Sequence, residues 1–317
     1  MPTRSTALRS VPTPAASPID VMATAEYTPV ATVVMCEANP MRVGLAAVRN
    51  ALTPSVLRQL ARNRWAPYDY RVVREQQRAF AAVLAAHGAE VVWARNVPDL
   101  GTQHYTRDVG FVIDDVFFFA RMGTPYRARE LAGLEPLRPR LSKTATLSEG
   151  RIEGGDVMLH DGAVLVGLGE ASDVRGVGAL RVKLDELGIE REVVPLEFTH
   201  GGTIHLDTKF NIVAPGVALV SPKSFTPATL RWFERHFDLV AATPAETRRL
   251  DINTVALGGG KVVVSRAAGR IADRLAERGL TPVPVEYGEV TKFPGSFRCT
   301  TLPLARRLPV PQPTHND

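Results

Sequence analysis

The sequence predicts an α/β protein built from repeated strand–turn–strand–helix–strand units that close radially around one centre. Three observations carry this. Acidic residues lead successive units at Asp108, Asp156, Asp207 and Asp251, which fall 48, 51 and 44 residues apart, a period that marks repeated supersecondary structure. Apolar runs of strand length flank tight turns at His160-Asp161-Gly162, Pro215-Gly216 and Gly258-Gly259-Gly260. No glycine-rich phosphate loop follows a strand and opens a helix, which disfavours a dinucleotide-binding fold.

Taken in order, residues 1–30 are rich in Pro, Ser, Thr and Ala, lack an apolar helical face, and read as a flexible arm. Residues 31–317 read as a single domain. Its first unit is irregular, combining ATVVMCEA with the helix and strand of REQQRAFAAVLAAHGAEVVWA. A hairpin follows in RDVGFVIDDVFFFARM, turning at Asp114-Asp115. The clearest unit opens with DVML and AVLVGL around an Asp-Gly turn; Leu180, Leu184 and Leu187 then recur at helical spacing, and EREVVPL reads as the returning strand. In the next, Thr226 is a natural N-cap with Pro227 at the first helical position, and Leu230, Phe233 and Phe237 form the buried stripe. The last carries Ile271 and Leu275 on its helix. Radial closure brings the leading residues of all units together.

Composition narrows the function classes. A hydrophobic content of 45% with 22% charged residues supports a sizeable soluble core, and no apolar run is long enough to cross a membrane. Two cysteines, Cys36 and Cys299, cannot build a disulfide framework, so a reducing, cytoplasmic setting is expected. The net charge of +5 draws on RNALTPSVLRQLARNRWAPYDYRVVR, with six arginines and one aspartate. Without a phosphate-cradling loop or base-stacking motif this reads as a solvated helix face, and neither a nucleic-acid nor a membrane partner is expected.

The polar residues that the repeat gathers are Asp108, Glu153, Asp156, His205 and Asp207, and Cys299 stands in FPGSFRCTTLP after a Pro-Gly-Ser turn. Carboxylates match the planar donor geometry of a guanidinium, histidine moves protons near neutrality, and a thiolate is a strong nucleophile. Together they suggest attack on an amidine-type carbon. Each has a plainer reading alone: Cys299 as a core or bystander thiol, His205 as a structural histidine, EGGD as a glycine loop, Asp207-Thr208 as a turn cap. A metal site is weak, because no paired Cys or His spacing exists.

The strings YTRDVGFVI, EGGDVML, IHLDTKFNI and GSFRCTTLP occur in that order and resemble the guanidino-group-modifying enzymes: arginine deiminases, dimethylarginine dimethylaminohydrolases and glycine-type amidinotransferases. The resemblance spans about residues 32–308. It implies a five-bladed α/β propeller of ββαβ units, the pentein fold, with 31–317 as its catalytic domain. It further implies Cys299 as nucleophile, His205 as general acid/base, and Asp108, Glu153 and Asp207 as the carboxylates that hold the substrate guanidinium, with Asp156 matching too. No cofactor is implied, and the partner is a small guanidino compound; a homo-oligomer is compatible with the sequence. The Gly-Ser turn is expected to present the thiol on a mobile loop.

The pattern breaks at the far end of the substrate. Ala171 in GLGEASD stands where deiminases and dimethylarginine hydrolases usually carry a carboxylate-binding arginine, and Pro294 stands where deiminases place another. PYRARE supplies Arg127 at a position resembling a further carboxylate-binding arginine, with Arg129 close by. Hydrolysis of a guanidino C–N bond is the expected activity. Amidino transfer to an amine stays open, because FNIVAPGVALVSP resembles the amidinotransferases while EGG does not. A non-catalytic binding protein on the same propeller is the alternative from another class.

Overall fold

The computed structural model describes residues 17–40 and 68–307. Its strands form five three-stranded sheets, each one blade. Three blades run in sequence order. The first comprises β6 (Val157–His160), β7 (Ala163–Leu168), a helix (Val174–Leu187) and β8 (Glu192–Glu197). The next comprises β9 (Phe210–Ala214), β10 (Val217–Val220), a helix (Pro227–His236) and β11 (Asp238–Ala241); the third comprises β12 (Val255–Gly258), β13 (Lys261–Ser265), a helix (Gly269–Ala276) and β14 (Thr281–Val285). In each, the first two strands pair antiparallel and the third joins parallel to the second. A parallel return needs a crossover, and the helix supplies it.

The turn chemistry is as read from the sequence. Asp161 and Gly162 take φ of 37° and 77°, the left-handed geometry of a two-residue hairpin turn. The blade of β3 (Gly110–Ile113), β4 (Val116–Phe119) and β5 (Thr144–Thr146) replaces the long helix by a four-residue one (Pro125–Ala128) and 3-10 turns. The irregular first unit is a blade in which β1 (Val30–Met35) pairs parallel with β2 (Glu90–Trp93) across the helix Tyr70–Ala86. Its missing strand is β15 (Leu302–Arg306), which pairs antiparallel with β1 and closes the ring. The arginine-rich stretch lies largely in 41–67, outside the described residues.

The core is distributed between blades rather than pooled. Phe210, Phe225 and Phe233 pack with Met158, Leu165 and Leu196, joining the first and second of the three sequential blades, with Phe210 stacked on Phe233 at 4.0 Å and 4°. Leu180 and Leu184 are buried as expected, Leu187 only partly.

The expected looseness of residues 1–30 does not hold for 17–29. Ile19 bridges Leu141, Met22 bridges Ala305 and Ala23 bridges Asp114. Ile19, Val21, Ala23 and Ala25 are all buried, a period-two pattern in an extended segment that makes isolated bridges and whose small alanines let it lie close against the ring. Residues 1–16 lie outside the described residues.

Phe233→Ala, which empties a fully buried stacked position, should lower stability by about 3–5 kcal/mol in denaturant unfolding. A loss below about 1 kcal/mol would mean that this inter-element core is not packed as described.

Candidate active site

Three turns of 3-10 helix, Thr106–Val109, Gly154–Asp156 and Leu206–Thr208, lead into β3, β6 and β9. They carry Asp108, Asp156 and Asp207, with Glu153 and His205 as the residues just before the second and third turns. All five are at most 3% exposed. The turns approach so closely that the EGGD glycines have a steric cause. A Cβ on Gly154 would lie 2.1 Å from the Arg107 carbonyl oxygen, and one on Gly155 2.7 Å from both Asp108 Oδ1 and His205 Cγ.

His205 Nε2 lies 2.9 Å from Glu153 Oε2, and Nδ1 lies 3.5 Å from Asp108 Oδ1. Burial alone would lower the imidazole pKa. Asp108, the Glu153 hydrogen bond and Asp156 overcome it and push it up to about 10. Burial pushes Glu153 upward, yet His205 and Arg127 hold it below the usual carboxylate range. Asp108 goes the other way, raised by burial against His205 and Arg127. Burial also lifts Asp156 to about 7, and its oxygens accept from Ser172 Oγ at 2.6 Å and the Leu206 N–H at 2.8 Å.

Cys299 is buried among Tyr105, Phe293 and Phe297 on one side, so the residue is also part of the core. Its sulfur faces Asn253 Nδ2 at 3.2 Å and both Asp207 oxygens at 3.6 Å. Burial, then Asp207 and Asp108, raise the thiol well above its ordinary value, so the resting group is the neutral thiol. The expected mobile loop is instead a packed one. Ser296 to Thr301 are buried throughout, Phe297 stacks on Tyr287, and Thr300 Oγ1 lies 2.8 Å from the Tyr287 hydroxyl. The aromatic anchor removes the freedom that the Gly-Ser turn suggests.

Arg127 differs from its expected outlook on the substrate's acidic end. Its Nη1 donates to Asp108 Oδ2 at 2.9 Å and Glu153 Oε2 at 3.2 Å, while Nη2 and Nε donate to Glu130 at 2.9 and 3.3 Å. Glu130 is itself held by the Thr102 hydroxyl. Oxygens of Asp108 and Glu153 and a His205 nitrogen lie within 4.8 Å of one another, a donor set able to take a cation, which the sequence spacing did not reveal. Among the described residues, two cations of the chain itself lie against both carboxylates, this guanidinium and the His205 imidazolium.

Sequence reading missed Asn253. Its Oδ1 accepts from the Arg298 and Cys299 backbone N–H groups at 3.0 and 3.3 Å, and Nδ2 donates to the Asp207 carbonyl at 3.0 Å. It stands two residues before β12, as Asp108 stands two before β3, whereas Asp251 pairs with Arg249 instead. The repeat register held the signal; a search for acidic residues passed over an amide. Beside the cluster, a cavity of about 210 Å³ is lined by Thr203, Ile204, Thr208, Lys223, Arg248 and Pro294. Ala171 is buried.

With this geometry in view, comparisons with known proteins converge. Residues 96–247 match the arginine deiminase family model. The chain is 31% identical over 239 residues to the uncharacterized protein YkgA of Bacillus subtilis, covering 74% of this chain and 81% of that one. It is 27% identical to an N(G),N(G)-dimethylarginine dimethylaminohydrolase of Streptomyces coelicolor, covering 74% and 87%. Among solved structures, SxtG, an amidinotransferase of the saxitoxin biosynthetic pathway from Microseira wollei, superposes with a TM-score of 0.74 at 18% identity, covering 90% and 97%; at that identity it speaks for the fold alone.

Because the folded pKa of His205 lies above its ordinary 6.5, its stabilising contribution is fully present below about pH 6.5 and is lost as pH rises through about 10. An NMR titration should therefore find the His205 ring as imidazolium through neutral pH, changing state near pH 10. A transition near 6.5 would refute the charge cluster as the controlling influence.

Proposed function

The chain belongs to the pentein superfamily of guanidino-group-modifying enzymes, and from that premise we propose that it is a cysteine-dependent hydrolase of a guanidino C–N bond in an arginine-related substrate. One observation supports this above the others: a thiol and a protonated histidine converge on buried carboxylates that already hold a guanidinium, that of Arg127.

In this reading the substrate cation replaces the Arg127 contacts with Asp108 and Glu153, and Asp207 takes a third side. Arg127 keeps Glu130 and turns toward the rest of the substrate. The arriving positive charge favours the Cys299 thiolate, whose proton leaves to solvent. Sulfur bonds to the central carbon, the His205 imidazolium protonates the departing nitrogen, and the C–N bond breaks to release the amine. The amidino group is then on sulfur. Neutral His205 takes a proton from water, the oxygen attacks the carbon, and the C–S bond breaks to regenerate thiolate and a ureido product. Asp156 acts at one remove, ordering the Leu206 backbone beside His205. Asn253 holds the Cys299 turn against Asp207.

Amidino transfer is the second reading, in which an amine replaces water. The stretch that favours it, FNIVAPGVALVSP, is the β9–β10 hairpin, whose Phe210 packs into the blade core, whereas Glu153 of EGG touches His205 and Arg127. That placement favours hydrolysis. With Ala171 buried and Pro294 beside Lys223 and Arg248, the far end of the substrate is read as differing from free arginine. No helix among the described residues is long and apolar enough to cross a membrane, and the two free, buried thiols favour a cytoplasmic setting.

Cys299→Ser should abolish turnover while leaving the melting temperature near that of wild type. Intact-protein mass spectrometry after brief exposure to arginine and related guanidino compounds should find an amidino-sized adduct on wild type that is absent from the variant. An adduct that decays in water supports hydrolysis, and one that persists until an amine is added supports transfer. Substantial turnover by Cys299→Ser would refute the nucleophile.

A further inference from the structure

Glu26 belongs to the stretch that sequence alone left as an arm, yet it is only 9% exposed and lies among three guanidinium groups, those of Arg298, Arg107 and Arg306. Its Oε2 accepts from Arg298 Nε at 3.4 Å and lies 3.3 Å from Nη2 as an ion pair, and Oε1 accepts from the Leu159 N–H at 3.4 Å. Arg298 is 1% exposed. It spends its remaining donors on the Val157 carbonyl at 2.7 Å and, through Nη1, on Asp207 Oδ2 at 3.2 Å. One guanidinium is thus shared between a carboxylate of the N-terminal strand and a carboxylate 3.6 Å from the Cys299 sulfur.

We propose that Glu26 is a positioning residue for the reaction, setting the charge and orientation of Asp207 through Arg298. The physical reason is the sharing. A buried guanidinium with two carboxylate partners divides its attraction between them; with one, it concentrates that attraction on the survivor. Removing the Glu26 charge therefore locks Asp207 to Arg298, leaving less of it for an incoming cation. It also leaves the positive charges of Arg298, Arg107 and Arg306 without the carboxylate they share, a field that opposes a cationic substrate. Arg107 sharpens the imbalance: its Nη2 has no partner, and burial followed by the Arg298 charge lowers its pKa to about 9.

The consequence for catalysis rests on the guanidino-enzyme reading, but the linkage itself can be read without turnover. Two measurements on full-length protein separate them. The first is calorimetric binding of methylguanidine, which needs only the carboxylate cluster. The second is the pH titration of Cys299 by thiolate absorbance, taken as the difference from Cys299→Ser. The groups facing that sulfur are Asp207, Asp108, Asn253 and the Tyr105 and Tyr287 rings.

Glu26→Gln should weaken methylguanidine about tenfold, the loss expected when a charge-assisted contact is compromised, and should shift the thiolate midpoint downward because a negative charge has left the network. Glu26→Asp, which keeps the charge on a shorter stem, should fall between the two in both measurements. A purely structural Glu26 would lower the melting temperature of either variant and leave affinity and midpoint unchanged, which would overturn the proposal. Should Glu26→Gln not fold, Glu26→Asp alone decides by the same two shifts. Wild-type protein that neither binds methylguanidine nor turns over any guanidino compound would overturn the enzyme reading, while the midpoint shift would still decide the linkage.

Discussion

Four carboxylates, Asp108, Glu153, Asp156 and Asp207, are buried where the blades converge, and such a cluster can exist only with cations among it. Arg127, His205 and Arg298 meet that requirement, each within about hydrogen-bond reach of at least one of the four. Much else follows from this constraint. The His205 pKa rises because its neighbours are anions, and the Cys299 thiol stays protonated first because it is buried and then because Asp207 and Asp108 are close by. Arg127 points inward because Asp108, Glu153 and Glu130 together take up its guanidinium donors. In this structure the cluster already holds a planar cation, the guanidinium of Arg127.

A resting thiol has a benefit of its own. Oxidants and electrophiles react with thiolate, and a neutral, 2% exposed Cys299 offers little of it. On the function proposed above, nucleophilicity that depends on a bound cation would confine the chemistry to the moment when the correct group occupies the site. Asp207 and Asp108, which help hold the thiol protonated, are on that reading also the groups that would grip the cation, so that one arrangement would provide both restraint and activation.

The repeat was legible from local signals in the most regular blades: an acidic lead, a strand, a turn such as Asp161-Gly162 that only a few residue types satisfy, and a helix with its own cap, as at Thr226. The clustering of Asp108, Glu153, His205 and Asp207 was legible for the same reason, since the period fixes which residues face the centre. What stayed hidden depends on distant pairings. Ile19, Val21, Ala23 and Ala25 alternate, but two of the four are alanines, too weakly apolar to announce a buried strand. Glu26 and Arg298 meet across 272 residues, and nothing local to either marks the other. The motif raised the expectation that Arg127 meets the far end of a substrate, whereas its partners in this structure, Asp108, Glu153 and Glu130, are set by the field of the whole cluster.

The first blade is completed by the last strand of the ring, β15 against β1, and Cys299 lies three residues before β15 begins. During synthesis the carboxylates, the histidine and Arg127 are all made before Cys299, and the turn that carries it is followed directly by residues 302–306, which pair with a strand made some 270 residues earlier. The residue made last in the cluster and the strand that closes the ring are therefore neighbours in the chain. A chain ending before residue 302 would leave β1 with β2 as its partner in that sheet and the first blade without its third strand.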